Sequence, residues 1–145
     1  MTGKVIAVNI SEKTGEMKKS IEQGLFIVDH GLEGDAHARN WHRQVSLLAQ
    51  ESIDKMIALG ADGLIPGNFA ENITTEGIVL YQLPVGTRLK IGDTLQEVTQ
   101  IGKKCHSGCE ISQKVGDCVM PREGIFTVVL KGGIIKPGDT IEILE

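Results

Sequence analysis

The sequence predicts a mainly β fold, a barrel of short strands with a few small helices, in a single domain over residues 1–145. Three observations predict it. A chain of 145 residues suits one compact core, whereas two domains of half this length would each be marginal. Short apolar runs rich in β-branched residues recur along the chain, and its 18 glycines favour tight turns between them. Only one stretch has the apolar spacing of a well-formed helix.

The predicted strands are apolar or β-branched runs bounded by polar or glycine-containing turns. They cover residues 4–10, 24–28, 45–48, 87–91, 95–99 and 141–144. Gly92 and Asp93 predict a hairpin between the fourth and fifth of these runs, because Gly-Asp is typical of hairpin turns. Residues 124–131 fit either a strand or a short helix.

One helix is predicted to start near Ala49. Ile53, Met56 and Ile57 recur at helical spacing and form its apolar face, while charged side chains face outward. Gly60 is well placed to end the helix, because glycine readily adopts the left-handed conformation of a C-terminal cap.

Charge and composition exclude several classes of function. A net charge of -4 and a pI near 5.6 argue against binding nucleic acid by bulk charge. An aromatic content of 3% is low for a surface that stacks bases. The chain has no uninterrupted apolar run of ~18 residues and no apolar signal region at its start, so neither a membrane span nor export is expected. Three cysteines cannot all pair within one chain, so we expect thiols in a reducing cytoplasm.

The cysteines are concentrated in one segment, which marks a candidate site. Cys105, Cys109 and Cys118 lie close together, with His106 among them. Lys104 and the lysine before it favour the thiolate form of Cys105, which could attack sulfur, carry a persulfide or bind a soft metal. The alternatives are a structural zinc site, although the ligand spacing is not a standard one, and inert buried thiols.

Two earlier segments are candidates for anion binding. In the loop containing Gly34, Asp35 and His37, successive backbone amides could cradle an anion, although an ordinary surface loop is equally compatible with this segment. Arg43, shortly before Ser46, offers forked donors that suit a phosphate or a carboxylate.

The segment at residues 66–73 is polar but contains apolar anchors. Asn68, Glu71 and Asn72 could read the edge of a heterocycle, because amides both donate and accept hydrogen bonds. From spacing alone, asparagines that cap turns are the simpler interpretation.

Taken in order, these segments resemble the MOSC family, named for the C-terminal domain of molybdenum cofactor sulfurase. The resemblance spans residues 5–143 and is closest to the small stand-alone bacterial branch. The matching elements are Gly34-Asp35-Ala36-His37, Arg43-Gln44-Val45-Ser46, Gly67-Asn68-Phe69-Ala70-Glu71-Asn72-Ile73, Leu83-Pro84-Val85-Gly86 through Gly92-Asp93, and the segment that begins at Cys105.

The resemblance implies a MOSC-type β-barrel and a cysteine that handles sulfur or binds molybdenum in a bound molybdenum cofactor (molybdopterin). Cys105 is preferred for this role, and as the molybdenum ligand if cofactor is bound, with Cys109 as second choice. The phosphate end of the cofactor is then expected near the Gly34 amides and against Arg43, whereas the asparagines of residues 66–73 would contact the pterin. Lys104 would act through its charge near the sulfur.

The resemblance also implies a choice of functions. The preferred one is cofactor handling, in which the chain binds the cofactor stably or transiently, or carries sulfur for cofactor sulfuration or delivery. The alternatives are a molybdenum-dependent reductase of N-hydroxylated compounds with an external electron donor, and a zinc-stabilised structural or binding module. The expected partners are a cysteine desulfurase, of the pyridoxal phosphate-dependent type found fused to larger relatives, and enzymes that make or receive the cofactor. The sequence leaves open whether the chain is itself an enzyme.

Overall fold

The structure, a computed structural model, describes residues 2–13, 17–60, 63–102 and 123–144. Within these residues the chain is mostly strand, with one α-helix and one short 3-10 helix (Leu80–Gln82). In chain order the remaining elements are β1 (Thr2–Ile10), β2 (Lys19–Ile21), β3 (Gly24–Ile27), β4 (Gly31–Leu32), β5 (Val45–Ala49), α1 (Gln50–Ala58), β6 (Ile73–Glu76), β7 (Arg88–Ile91), β8 (Thr94–Ile101), β9 (Ile125–Lys131), β10 (Gly133–Ile135) and β11 (Thr140–Leu144).

Strands β11, β7, β8, β9, β5, β6 and β1 form a closed barrel, because β11 pairs back onto β1 with Gly3 opposite Ile141. Strand β2 pairs with the second half of β1, with Val8 opposite Ile21, beyond the residues of β1 that pair with β11. Neighbouring strands are antiparallel except β5 and β6, which run parallel. That parallel pair needs a crossover connection, and α1 lies in the chain between the two strands. The mainly β barrel expected from the sequence is therefore confirmed.

A second, three-stranded sheet with the order β10-β3-β4 packs beside the barrel. Phe26 of β3 is fully buried, whereas its neighbours Leu25 and Ile27 alternate to the solvent side. One apolar core unites both sheets, since buried residues of the barrel strands and of β3 and β10 belong to a single cluster. The largest fully buried side chains of the described residues are Phe26, Leu32, Leu47, Leu48, Ile53, Met56, Ile73, Leu80, Leu89, Ile91, Ile125 and Ile135.

Most predicted elements are present with small shifts in their ends. The hairpin turn at Gly92 and Asp93 joins β7 to β8, with Ile91 opposite Thr94. The ambiguous residues 124–131 form strand β9, whose central side chains are buried between β8 and β5.

The helix differs from its prediction in one respect. It buries Ile53 and Met56 as expected and stops before Gly60, whose φ of +109° is a left-handed conformation. Ile57, however, is 42% exposed, because the narrow face that α1 turns to the barrel ends at Met56.

The sequence patterns missed four strands, namely β2, β4, β6 and β10. Three of them have only two or three residues, too few for a periodic pattern to register. Strand β6 has the sequence Ile-Thr-Thr-Glu. Thr74 and Thr75 are buried, but a pattern based on polarity predicts that threonines are exposed. No helix in the described ranges is long and apolar enough to span a membrane.

Candidate functional site

A buried ion pair lies where the segment before β2 meets the loop after β4. The Nζ atom of Lys18 is 2.7 Å from Oδ1 of Asp35, and both side chains are 0% exposed. Lys18 also donates to Oγ of Ser11 at 3.0 Å, and Asp35 accepts the backbone N–H groups of Ser11 and His37 at 3.1 Å each. Ser11, Lys18, Asp35 and His37 are called the Asp35 cluster below.

The pKa of Asp35 reflects two opposing effects. Burial alone would raise it, but the hydrogen bond and charge of Lys18, helped by the Ser11 amide, lower it below its ordinary value of 3.8. Asp35 is therefore ionised at neutral pH. The pair is a true salt bridge with its charges removed from water.

The ring of His37 also contacts Lys18. Nζ of Lys18 lies 3.1 Å from Nδ1 of His37. Because a lysine ammonium can only donate, Nδ1 is the acceptor in this contact. The His37 side chain is 31% exposed.

Asn72 is the centre of a second polar group, which lies inside the barrel wall. Its Oδ1 accepts the backbone N–H of Ser46 at 3.0 Å, and its Nδ2 donates to the backbone oxygen of Asn9 at 3.3 Å. Oγ of Ser46 in turn accepts the N–H of Asn72 at 3.0 Å. These contacts join β1, β5 and the loop before β6. The polar atoms of Asn72 are thus engaged within the protein, and its expected contact with a pterin stays a prediction.

Glu71 is a carboxyl group with 0% exposure. Its Oε1 accepts the N–H of Phe69 at 3.2 Å, and its Oε2 accepts the hydroxyl of Thr74 at 2.8 Å. Burial raises the pKa of Glu71 above 4.5, although the nearby backbone amides and the Thr74 hydroxyl partly oppose this. No lysine or arginine of the described part of the chain forms an ion pair with it.

The loop that carries these residues is held against the Asp35 cluster. Lys18 donates its backbone N–H to the oxygen of Gly67 at 2.8 Å. A Cβ on Gly67, whose φ is +95°, would overlap the carbonyl oxygen of Lys18. Asn68 accepts the N–H of Ile65 at 2.9 Å through Oδ1, so it caps the preceding turn. This cap is what the simpler interpretation of the sequence expected of Asn68.

The loop containing Gly34 is less open to an anion than its sequence suggests. Gly34 is exposed with a φ of +85°. The next two amides are already used, because the N–H of Asp35 donates to Leu32 at 3.1 Å and that of Ala36 to Ser11 at 2.8 Å. The anion-binding role of Gly34 stays a prediction, with fewer donors to support it.

Two arginines lie against a single indole ring. The Cζ atoms of Arg39 and Arg43 are 3.9 Å and 4.5 Å from the ring centroid of Trp41, and that of Arg43 is also 5.6 Å from the ring of Phe126. Trp41 is fixed by its Nε1–H, which donates to the backbone oxygen of His37 at 2.9 Å. Arg39, Trp41 and Arg43 are called the arginine–tryptophan cluster below.

Neither arginine of this cluster is neutralised by an acid of the described residues. Nε of Arg43 is buried and meets no hydrogen-bond acceptor there. A buried donor without an acceptor is uncommon in native proteins, so it needs an explanation. The aromatic rings hold the guanidinium in place, while its Nε–H has no acceptor among the described residues.

Glu123, shortly before β9, binds two side chains of α1. It accepts the hydroxyl of Ser52 at 2.6 Å and the Nζ of Lys55 at 2.9 Å. The hydrogen bond to Glu123, with a smaller contribution from Tyr81, raises the pKa of Lys55. Glu123 is the residue at which the described chain resumes after residues 103–122.

The structure therefore brings Asp35, His37, Ser46, Glu71 and Asn72 into one polar region, with Asn72 also contributing a hydrogen bond to Asp35. Arg43 lies at the border of this region. Its guanidinium is beside the ring of Phe126, and Phe126 of β9 pairs with Ser46 of β5.

The candidate thiols Cys105 and Cys109, as well as Lys104, lie outside the described residues, so their roles stay predictions. The zinc alternative rests on the same segment. In the ranges that are described, no group of three or more His, Cys, Asp or Glu could hold a metal.

Sequence reasoning missed Lys18, Arg39 and Trp41. Nothing in the polar run around Lys18 indicates that its ammonium is buried. The alternation Arg39-x-Trp41-x-Arg43, in contrast, could have been noticed, because side chains two apart can share a ring in an extended segment.

A model of the MOSC domain matches residues 33–142 of the chain. The match covers well over half of the sequence and includes Asp35, Arg43 and Asn72. The chain belongs to the MOSC domain family. The resemblance expected from the sequence is confirmed.

Solved structures share the MOSC fold over almost the whole chain. The YuaD protein from Bacillus subtilis superposes with a TM-score of 0.82 at 19% identity, covering 99% of this chain and 96% of that one. YiiM from Geobacillus stearothermophilus superposes with a TM-score of 0.74 at 16% identity, covering 99% of this chain and 75% of that one. YiiM from Escherichia coli superposes with a TM-score of 0.68 at 17% identity, covering 100% of this chain and 70% of that one. No curated protein matches the chain.

Proposed function

We propose that this MOSC domain handles molybdenum cofactor, binding the anionic end of the cofactor at Arg43 and carrying sulfur on the thiol of Cys105. The observation that carries the proposal is the state of Arg43. Its guanidinium is held by Trp41 and Phe126, and its buried Nε has no acceptor among the described residues. An anionic ligand supplies the missing acceptor.

The residues present fit such a cofactor in part. Arg43 can hold a phosphate group, and the hydrogen bonds of the Asp35 cluster hold Asp35 and His37 in place at the border of the site. When bound, the cofactor supplies a soft molybdenum centre that a thiolate can ligate. The cysteine segment contributes the thiols at the level of sequence, with Cys105 preferred and Cys109 second.

The sulfur step is a thiol exchange. The thiolate of Cys105 attacks the terminal sulfur of a persulfide on a partner cysteine desulfurase. The sulfur–sulfur bond of the donor breaks, a new one forms on Cys105, and the donor cysteine leaves as a thiolate. The step consumes no external electrons. It requires thiols that stay reduced, which places the chain and its partners in the cytoplasm.

The test is to express the chain in cells that make molybdenum cofactor and to measure bound molybdenum, pterin and cyanide-releasable sulfur. Cys105→Ser is expected to lose the sulfur signal while the fold is kept, and Cys109→Ser to keep it. Arg43→Gln is expected to lose bound pterin. Arg88→Gln is the matched control, because Arg88 is exposed and paired with Glu97.

Four outcomes would count against the proposal. Wild-type protein without molybdenum, pterin or labile sulfur contradicts it outright. Equal sulfur signals in the wild type and in both cysteine variants remove the thiol from the mechanism. Stoichiometric zinc, lost in the cysteine variants, indicates a zinc-stabilised structural module instead. Turnover of an N-hydroxylated compound with an artificial electron donor would show that the chain is a reductase and not a carrier.

A further inference from the structure

We infer that His42 is a positioning residue for Arg43, because it fixes both the indole of Trp41 and the peptide from which the guanidinium extends. This inference rests on the proposed anion-binding role of Arg43 and deepens it. It names the group that holds the guanidinium in its orientation, and that group acts without touching the anion itself.

Arg43 lies near the end of a connection that has no regular secondary structure. Residues 33–44 join β4 to β5, and no helix or strand forms between them. Such a connection lacks the ladder of backbone hydrogen bonds that fixes a strand, so side-chain contacts must determine where Arg43 points. The orientation matters because the buried Nε of Arg43 has no acceptor among the described residues.

The first contact of His42 is with the indole of Trp41. The two rings meet edge to face, with their centroids 5.7 Å apart and their planes at 68°. The indole also donates its Nε1–H to the backbone oxygen of His37. The Cζ atom of Arg43 lies 4.5 Å from the indole centroid. A ring that is held by two groups gives the guanidinium a fixed surface on which to stack.

The second contact fixes the backbone of Arg43 against β8. Thr99 donates its hydroxyl to the carbonyl oxygen of His42, and the same hydroxyl lies 3.2 Å from the carbonyl oxygen of Phe126. The carbonyl of His42 and the amide nitrogen of Arg43 belong to one planar peptide group. Thr99 therefore fixes the peptide from which Arg43 extends, close to the Phe126 ring that the guanidinium also contacts.

The third contact ties the imidazole of His42 to the same strand. Its Nε2 is 3.0 Å from Oε1 of Gln100, and Nε2 of Gln100 donates to the carbonyl oxygen of Gly102 at 2.8 Å. Because the amide nitrogen of Gln100 is engaged with Gly102, the amide oxygen accepts from the imidazole. His42 is thus held through its ring and through its carbonyl, although its side chain is exposed.

The test follows the guanidinium of Arg43 directly by NMR. Its Nε–H signal is assigned by its absence in Arg43→Gln, and a buried N–H is expected to exchange slowly with water. In His42→Ala the signal should shift, because the indole moves relative to the guanidinium and its ring current there changes, and exchange should become faster. His30→Ala is the matched control, because His30 lies in the turn between β3 and β4.

Two further variants isolate the hydrogen bond to Gln100. His42→Phe keeps an aromatic ring beside Trp41 but cannot donate, and Gln100→Leu removes the same bond from its other side. If this bond positions Arg43, both variants should shift the signal alike, and the double variant should shift it no further than either single one.

Anion binding is measured with inorganic phosphate, using the fluorescence of Trp41, the only tryptophan of the chain. His42→Ala is expected to bind phosphate about threefold to tenfold more weakly than the wild type, the effect of losing one hydrogen-bonded contact. Sodium chloride at the same ionic strength controls for screening, and circular dichroism checks folding. If His42→Ala does not fold, His42→Phe takes its place in both measurements.

The inference is overturned if the Arg43 signal and its exchange are the same in His42→Ala as in His30→Ala. It is also overturned if the signal moves while a wild type that binds phosphate and the His42 variant bind it equally well. A wild type without a saturable response to phosphate contradicts the proposed anion-binding role of Arg43, and the NMR comparison then decides the positioning role by itself. Protein that never acquires molybdenum or pterin contradicts the cofactor function alone.

Discussion

At the scale of single residues, the most consequential feature is the Lys18–Asp35 pair. Three acceptors surround the ammonium of Lys18, namely Ser11, Asp35 and His37. The pair thus links three segments that are separated along the chain. A buried ion pair adds little over an apolar pair of similar volume, but removing one partner leaves the other charge buried and uncompensated.

Replacing Asp35 with Asn is therefore expected to lower the free energy of unfolding by about 3–5 kcal/mol. Urea denaturation followed by fluorescence and circular dichroism measures the change. Asp29→Asn is the matched control, because Asp29 is exposed and its positive φ suits asparagine. A loss of less than about 1 kcal/mol, typical of exposed pairs, would contradict the burial described for this pair.

The raised pKa of Glu71 predicts a specific pH dependence of stability. The folded state binds the Glu71 proton more tightly than the unfolded state does, because the pKa of Glu71 is raised above 4.5 on folding. Its contribution to the free energy of unfolding is therefore complete at low pH and is lost as pH rises through the folded pKa. In Glu71→Gln this dependence is expected to vanish. The difference between the two stability curves should therefore favour the wild type most at low pH and decline as pH increases.

Denaturation curves from pH 4 upward test this prediction, and Glu142→Gln, at an exposed position, corrects for the loss of one charge. The pH dependence that Asp35 contributes has the opposite sign. Because its pKa is lowered on folding, its contribution to the free energy of unfolding is lost only as pH falls below 3.8. A difference curve that rises with pH would contradict a raised pKa for Glu71.

At the scale of elements, the loop before β6 is the part on which the polar region depends. Gly67 accepts a hydrogen bond from Lys18 and approaches its carbonyl closely, and Asn72 at the other end bonds to β1 and β5. The loop is thus fixed at both ends by backbone contacts that only particular residues allow.

Gly67→Ala is expected to destabilise the protein by clearly more than Gly86→Ala. Both glycines have nearly the same φ, +95° and +97°, so both substitutions cost about 1–2 kcal/mol of left-handed strain. Only Gly67 also faces a carbonyl, whereas no atom lies within 4 Å of a Cβ on Gly86. Thermal and urea unfolding of the two variants measure the difference. Equal losses would show that the loop moves away from Lys18 at little cost.

At the scale of the whole molecule, the barrel closes through its first and last strands. β11 lies between β1 and β7, and Ile141 is 0% exposed with partners in both, Gly3 and Ile91. Because the two paired ends are far apart in sequence, this contact brings the ring together as one cooperative unit.

Ile141→Ala is expected to lower the free energy of unfolding by about 2–5 kcal/mol, the usual cost of removing a large buried aliphatic side chain. Leu144→Ala, in the same strand but 38% exposed, is the control and should cost much less. Hydrogen exchange should show faster opening of β1 and β7 together with β11 in the Ile141 variant. Acceleration confined to β11 would indicate that the ring does not open as a unit.

The amino-acid sequence alone was enough to predict the class of fold, the helix that begins near Ala49, the turn at Gly92 and Asp93 and membership of the MOSC family. Each of these depends on a pattern that is local, because strand alternation, helical spacing and turn residues act over a few positions. The short strands and the buried threonines of β6 lack such a pattern, which is why they were not predicted.

The partners of the polar side chains, in contrast, became apparent only in the folded chain. Asp35 pairs with Lys18 at a separation of 17 positions, Asn72 bonds to Asn9 at 63, and Arg43 lies on a ring from β9. Such partners meet only once the barrel has closed, and whether an asparagine or a carboxylate faces a ligand or the interior depends on that closure. The residue types indicated polar chemistry. In the folded chain most of these groups hydrogen-bond to one another, whereas the buried Nε of Arg43 meets no acceptor among the described residues.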